Sequence, residues 1–126
     1  MKMLSLEEVI LFQKKLIDKT GGKQGIRNES LIDSAINRGI SSFDGIDLYK
    51  TDIEKIAAIT HSLVCNHGFT DGNKRIGIAV MVLLLKLNKI FIIYTQDELI
   101  DLGLFLASGS YEYEDVLNWI SKHIMK

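Results

Sequence analysis

The chain has no proline and a single cysteine, Cys65, among its 126 residues. With one cysteine no internal disulfide can form, which is typical of proteins from a reducing cytoplasm. The first five residues, Met1 to Ser5, lack the apolar stretch of a signal peptide and support the same cytoplasmic location. Without proline, glycine is left to mark the turns and the ends of helices.

A strong net charge and a long hydrophobic run are also missing. The formal charge is −1, so no overall electrostatic attraction to nucleic acid or to an anionic membrane is expected. The longest apolar run, Ile76 to Leu85, is too short to span a bilayer. Hydrophobic residues make up 47% of the chain, which excludes disorder, and the length predicts one domain over residues 1–126.

Capping signals and helical periodicity predict an all-α fold. Helices are expected to begin at Ser5, Asn28, Thr51, Gly72, Thr95 and about Tyr111. The first helix places Val9, Phe12 and Leu16 at helical spacing. The helix from Gly72 to Leu87 is apolar on almost every side. We therefore predict a compact domain of five to six main helices around this one apolar central helix.

Two segments lack helical periodicity. Ser41 to Lys50 contains the tight-turn dipeptide Asp44-Gly45 and is compatible with a short hairpin or a loop. Ile90 to Tyr94 is rich in β-prone residues, but no second convincing strand is available to pair with it. This second segment is therefore predicted to be an extended, buried connection.

The stretch from His67 to Arg75 carries most of the chemistry in the sequence. It is a loop that becomes a helix at about Gly72, where the first amide N–H groups lack intrahelical acceptors and bind anions. The cations Lys74 and Arg75 are unfavourable in a first helical turn unless a polyanion binds there. We therefore predict a phosphate site formed by Gly72, Asn73, Lys74 and Arg75.

Three further residues of this stretch have predicted roles. Asp71 offers oxygen ligands for a divalent metal such as Mg²⁺. His67 is the candidate general base. If the loop is extended, Phe69 points the opposite way, anchors the loop in the core, and leaves His67 and Asp71 facing solvent.

Simpler interpretations exist for the same residues. Asp71 and Arg75 are four apart and are also compatible with a surface ion pair, and Asp71 with a plain N-cap. His61, Cys65 and His67 lie close enough in sequence to suggest zinc, although such sites usually have four ligands at a recognised spacing.

The pattern His67-x-Phe-x-Asp-Gly-Asn-Lys-Arg75 resembles the signature of the Fic/Doc family, and Lys74 resembles its death-on-curing (Doc) toxin branch. The upstream segments Gly21 to Arg27 and Leu31 to Arg38 resemble the N-terminal half of Doc toxins. Two departures stand out. Ile76-Gly77 replaces the usual Thr-Ala, and Ile78 replaces the second arginine of adenylylating relatives.

The resemblance implies a toxin of a toxin–antitoxin system that transfers phosphate from ATP to a Ser or Thr hydroxyl of a translation factor, elongation factor Tu. His67 would take the proton of that hydroxyl, Asp71 would hold Mg²⁺, and the Gly72 and Asn73 N–H groups with the Asn73 amide would form an anion hole. The alternatives are AMP transfer by a Fic-type protein adenylyltransferase and a non-catalytic module that binds nucleotide or a partner.

The resemblance also implies two further elements. Ser41 to Tyr49 is the candidate flap that aligns a target peptide. The implied inhibitor is a separate antitoxin whose C-terminal segment folds into an apolar groove. The nearest match to an internal inhibitory motif, Ser108 to Glu112, is followed by Tyr113 where Gly or Asn is needed, and its arginine partner is replaced by Ile78.

Overall fold

Six α-helices and one short hairpin make up the part of the chain that the structure, a computed structural model, describes, which is residues 1–125. The helices are α1 (Leu6–Thr20), α2 (Glu29–Arg38), α3 (Asp52–Cys65), α4 (Asn73–Leu87), α5 (Gln96–Ala107) and α6 (Tyr113–His123). Strands β1 (Ser42–Phe43) and β2 (Ile46–Asp47) lie between α2 and α3. The predicted all-α class is confirmed.

Local capping chemistry fixes where three of the helices begin. Ser5, Thr51 and Thr95 each accept a hydrogen bond from the N–H of the glutamate three residues later, and that glutamate accepts from the cap's own N–H. Each pair satisfies two N–H groups that a helix start would otherwise leave free. All three predicted capping boxes are present.

The core forms around two helices. Helix α3 packs against α2, α4, α5 and α6, while α4 packs against α1, α3 and α5. The two central helices approach closely at Gly77, where a Cβ would lie 2.4 Å from a methyl carbon of Val64. The predicted apolar helix α4 thus shares the central position with α3. The glycine in Ile76-Gly77 has a packing reason, because a larger residue would push the two helices apart.

The segment before α3, for which the sequence allowed either a short hairpin or a loop, is a hairpin. β1 and β2 pair antiparallel, with Phe43 opposite Ile46. The turn residues Asp44 and Gly45 have φ values of 53° and 78°, the left-handed conformation that a two-residue hairpin turn requires. Phe43 is 76% exposed and Ile46 63% exposed, so the hairpin presents apolar side chains to solvent.

The prediction for Ile90 to Tyr94 was wrong in two respects. The segment is not buried, since Phe91 and Ile93 are exposed. It also has a pairing partner, because Ile92 forms an antiparallel bridge with Ile124. The N–H of Ile93 donates to the carbonyl of His123, and the N–H of Met125 donates to that of Phe91. The partner is only two or three residues long, too short to be recognised as a strand in sequence.

The buried face of α1 includes only one of the three apolar residues found at helical spacing in the sequence. Its buried residues are Val9, Gln13 and Ile17. Phe12 and Leu16 are only partly buried and pack at the margin of the core. The buried face could not be recognised from apolar residues alone, because its central residue is the polar Gln13.

No helix within residues 1–125 is long and apolar enough to cross a membrane.

Candidate functional site

The start of α4 has free N–H groups and no side-chain cap. Its N-cap, Gly72, has a left-handed backbone with φ 76°, which glycine adopts without strain. The N–H groups of Asn73, Lys74 and Arg75 have no hydrogen-bond acceptor within residues 1–125. Three unpaired donors at the positive end of a helix dipole are a binding site for an anion.

Two side chains hold the preceding loop in shape. Phe69 is 1% exposed and lies in the core. The side chain of Asn73 then braces the loop from the first turn of α4. Its Oδ1 accepts from the Phe69 N–H at 3.0 Å, and its Nδ2 donates to the Phe69 carbonyl at 3.0 Å. The Asn73 amide is therefore engaged within the loop, and the anion-binding donors at this helix start are main-chain groups.

His67 is exposed at the beginning of the loop. Its backbone is left-handed, with φ 53°, which turns the chain out of α3 immediately after the C-cap residue Asn66. Its imidazole makes no hydrogen bond and no ion pair within residues 1–125. An exposed imidazole without a structural partner is available to accept a proton from a bound substrate.

The carboxylate of Asp71 is held by main-chain donors. Oδ2 accepts from the Lys23 N–H at 3.1 Å, and Oδ1 accepts from the Gly72 N–H at 2.8 Å. These two hydrogen bonds, in that order, lower the pKa of the Asp71 carboxyl below its ordinary range, and the nearby Arg75 and Lys23 charges lower it further. Asp71 is thus an oriented anion, and its side chain is still 44% exposed.

The two cations differ in how firmly they are held. Arg75 donates from Nη1 to the Thr20 hydroxyl and the Gly21 carbonyl, at 2.7 and 2.6 Å, and lies 3.8 Å from the Asp71 carboxylate. Lys74 is exposed, and its stem passes over α5 at Gly103, where an added Cβ would lie 3.1 Å from the Lys74 Cγ. The Lys74 ammonium makes no ion pair within residues 1–125 and is free to meet a ligand.

Two cavities meet at these cations. The first, about 390 Å³, is lined by the loop and the start of α4, with contributions from α3 and the end of α5: Val64, His67, Thr70, Asp71, Gly72, Asn73, Lys74, Arg75 and Ala107. The second, about 410 Å³, is an apolar groove between α1, α4 and the start of α5: Leu16, Thr20, Lys74, Arg75, Ile78, Ala79, Gln96, Leu99, Ile100 and Gly103. The structure therefore brings every residue of the predicted site except Phe69 to the wall of one cavity.

Zinc finds no support in this arrangement. No group of three His, Cys, Asp or Glu side chains within residues 1–125 is placed to hold a metal ion. His61 instead lies 3.6 Å from Glu112, and the Cys65 thiol is placed to donate to the Leu106 carbonyl. A single carboxylate such as Asp71 is compatible with Mg²⁺, which is often held by one or two carboxylates together with substrate phosphates.

Sequence reasoning missed the residues that hold Asp71 from a distance. Gln13 donates from its side-chain amide to the Asp71 carbonyl, and Lys23 donates its backbone N–H to the carboxylate. Gln13 carried one usable signal, a polar residue at a helical position between the apolar Val9 and Ile17. The hydrogen bond from Lys23 comes from its backbone N–H, so the identity of the residue gave no indication of it.

Two comparisons with known proteins bear on the family of this chain. A 55-residue segment is 40% identical to a protein named Toxin Doc from Mycolicibacterium smegmatis. The matched segment covers 44% of this chain and 42% of that protein, so less than half of the relative's length is represented. The match supports the resemblance to the Doc branch. The sequence model of the Fic/DOC family matches residues 3–85, which include α1 to α3, the loop and most of α4. The chain belongs to the Fic/DOC family.

Proposed function

We propose that this protein is the toxin of a toxin–antitoxin system and that it transfers phosphate from ATP to a Ser or Thr hydroxyl of a translation factor, with elongation factor Tu as the candidate target. The observation that supports this most is the start of α4, where three free N–H groups, two cations, an oriented carboxylate and an unpaired imidazole line one cavity. The name of the relative, Toxin Doc, favours the toxin role.

His67 is the proposed general base. It would accept the proton of the attacking hydroxyl while that oxygen approaches the phosphorus. Its exposure leaves room for a protein substrate, and Phe69, buried two residues later, limits how far the loop can shift. Positioning of this kind matters because phosphoryl transfer depends mostly on geometry and on neutralisation of charge.

The phosphates of ATP would bind at the start of α4. The N–H groups of Asn73, Lys74 and Arg75 would donate to the anion, and the exposed side chain of Lys74 would add a positive charge. Arg75 contributes a fixed charge, since Thr20, Gly21 and Asp71 already hold its guanidinium. Ile78, where adenylylating relatives have a second arginine, is only 8% exposed and offers no charge for a further phosphate. Its presence favours phosphate transfer over AMP transfer.

Asp71 fits the proposed Mg²⁺. Each of its oxygens accepts one backbone N–H, which leaves lone pairs on both for a metal. Its lowered pKa keeps the carboxylate charged, and nearly half of its side chain is exposed. Asp71 would hold Mg²⁺, and the charge of the ion would neutralise negative charge on the nucleotide.

The apolar groove between α1, α4 and α5 is the proposed site for the antitoxin. Ile78, Leu99 and Ile100 line it, and it borders Lys74 and Arg75, so a peptide bound there would also obstruct the phosphate site. The nearest match to an internal inhibitory motif is engaged elsewhere, because its Glu112 is the N-cap of α6 and lies beside His61. The exposed hairpin Ser41 to Tyr49 is the proposed flap for the target peptide, with Phe43 and Ile46 as its apolar contacts.

Mass spectrometry of the target after incubation with the protein, Mg²⁺ and ATP tests the proposed reaction. We expect an added phosphoryl group on a Ser or Thr of elongation factor Tu, and none with His67→Ala. An added AMP would replace the proposal with adenylyl transfer, and retention of ATP without any modified protein would replace it with a binding module. Expression in bacteria with and without the neighbouring reading frame tests the toxin role, which fails if the active protein alone leaves growth unchanged.

A further inference from the structure

One face of α1 lies along the start of α4 and contacts it at successive turns. Gln13 donates from Nε2 to the Asp71 carbonyl at 3.1 Å, across 58 residues of chain. Ile17 lies beneath Gly72, whose missing Cβ would be 2.8 Å from the Ile17 Cδ1. Thr20 accepts a hydrogen bond from Arg75. Spacings of four and three residues place these three side chains on one side of the helix.

Gln13 is the polar member of this face and is only 2% exposed. A buried amide costs free energy unless its hydrogen bonds are made, so an aliphatic side chain would be the simpler choice for packing alone. The hydrogen bond that Gln13 donates goes to the candidate site. The direction of the Asp71 carbonyl is therefore what Gln13 fixes.

The carbonyl that Gln13 holds belongs to the same peptide group as the Gly72 N–H. A peptide group is planar, so fixing the direction of its C=O also fixes the direction of its N–H. That N–H donates to Oδ1 of Asp71 at 2.8 Å. A continuous set of contacts thus leads from the Gln13 amide, through the Asp71–Gly72 peptide, to the Asp71 carboxylate. Gly72 has no Cβ to resist rotation of this peptide, which increases the need for an external hold.

We propose that Gln13 is a positioning residue that orients the Asp71 carboxylate in the nucleotide site, an inference that rests on the function proposed above for the role of Asp71. Gln13 is buried, and its side-chain amide donates to the main-chain carbonyl of Asp71. Its contribution is to keep the Asp71–Gly72 peptide in the rotation that directs one N–H at the carboxylate.

The first measurement needs neither nucleotide nor target. In the full-length protein labelled with ¹³C, the carboxyl signal of Asp71 is followed by NMR as pH is lowered, in wild type, Gln13→Met and Thr60→Val. Methionine has the length of glutamine but no donor. Thr60→Val is the matched control, since Thr60 is also buried and its hydroxyl donates only to Ile56 within α3.

The expected result is a higher pKa for Asp71 in Gln13→Met than in wild type, because the hydrogen bond from the Gly72 N–H to the charged carboxylate is weakened. Thr60→Val should leave the Asp71 titration unchanged. Gln13→Leu replaces Gln13→Met if the methionine variant does not fold. An unchanged Asp71 pKa in a folded Gln13 variant overturns the proposal, as does an equal shift in the control.

The second measurement connects the contact to the site. In Gln13→Met, the Mg²⁺ concentration that gives half-maximal ATP binding should rise about tenfold, the usual lower bound for losing a residue that orients a metal ligand. A raised Asp71 pKa with unchanged Mg²⁺ dependence would overturn the link to nucleotide binding. If wild-type protein itself fails to bind ATP, the proposed function fails while the NMR result still decides whether Gln13 orients Asp71.

Discussion

The starts of α4 and α5 contain similar groups and use them differently. Each has a carboxylate in or next to its first turn, Asp71 at α4 and Glu98 at α5. Each carboxylate has a histidine nearby, His67 in the cavity of Asp71 and His123 beside Glu98. At α5, Glu98 completes the capping box with Thr95 and its other oxygen lies 2.5 Å from His123. His123 also contacts the Trp119 carbonyl through Nδ1, at 2.6 Å, so both ring nitrogens have partners.

At α4 the groups that could close the helix start are directed elsewhere. No side chain caps the helix, and three N–H groups have no acceptor within residues 1–125. Asp71 is bonded by Lys23 and Gly72 on the loop side, and the His67 imidazole has no partner in the described part of the chain. A helix start built for stability satisfies its own donors, whereas this one is braced from outside and leaves its donors open to the proposed phosphate ligand.

Removing the two histidines should separate these roles most clearly. We expect His67→Ala to lower the rate of transfer by about 10²–10⁴-fold, the usual loss for a general base, with ATP binding and the thermal midpoint close to wild type. His123→Ala should do the reverse, lowering the thermal midpoint while the transfer rate per folded molecule is kept. Steady-state kinetics and thermal denaturation of both variants check this. Full activity in His67→Ala would remove the base from the mechanism.

The loop of the α4 site should be the more sensitive to loss of its anchor. Phe69→Ala is expected to reduce the free energy of unfolding by about 3–5 kcal/mol, because the phenyl ring is fully buried. Phe91→Ala, in the segment that leads to α5, removes the same ring from a position that is 57% exposed and should change stability little. Urea unfolding monitored by circular dichroism compares the two. Equal effects would mean that Phe69 is not the anchor of the loop.

Removing the side chain of Asn73, which braces the loop, should have a smaller effect on stability and should also lower activity. Asn73→Ala leaves the N–H and carbonyl of Phe69 without their partners, at a cost of about 1–3 kcal/mol for an unsatisfied part-buried group. The freed loop should also displace His67, so the transfer rate should fall at saturating ATP. Urea unfolding and kinetics on the same preparation test both effects. A loss of ATP affinity with an unchanged maximal rate would instead show that Asn73 contacts the nucleotide.

The start of α5 could be predicted from four consecutive residues, because a capping box is a local pattern in which Thr95 and Glu98 satisfy each other. The chemistry of the α4 site was also visible, since its residues are contiguous from His67 to Arg75. The contacts that orient Asp71 were not, because Gln13 and Lys23 lie 58 and 48 residues upstream and meet it only in the folded chain. For the same reason the bridge between Ile92 and Ile124 was missed.

The smallest expected effect concerns the closed cluster at α5. The hydrogen bond from His123, followed by those from Thr95, lowers the pKa of the Glu98 carboxyl below its ordinary range. A carboxyl whose pKa is lower in the folded state stabilises the fold above its unfolded-state pKa and loses that contribution as pH falls through the folded-state value. Acidification from neutral pH to below about pH 4.3, the ordinary glutamate value, should therefore weaken this cluster in the wild-type protein.

Glu98→Gln should reduce that acid sensitivity, because glutamine does not change charge with pH. We expect the variant to be less stable than wild type at pH 7 and to lose less stability on acidification, so that the two urea midpoints converge as pH falls. Trp119, the only tryptophan of the chain, stacks on His123 with 3.9 Å between ring centroids, and its fluorescence reports on the cluster directly. Glu29→Gln is the matched control, an exposed glutamate in the first turn of α2. If both variants lose as much stability as wild type when pH is lowered, the contact of Glu98 with His123 adds nothing to its role in the cap. The closed character of the α5 start then rests on Thr95 alone.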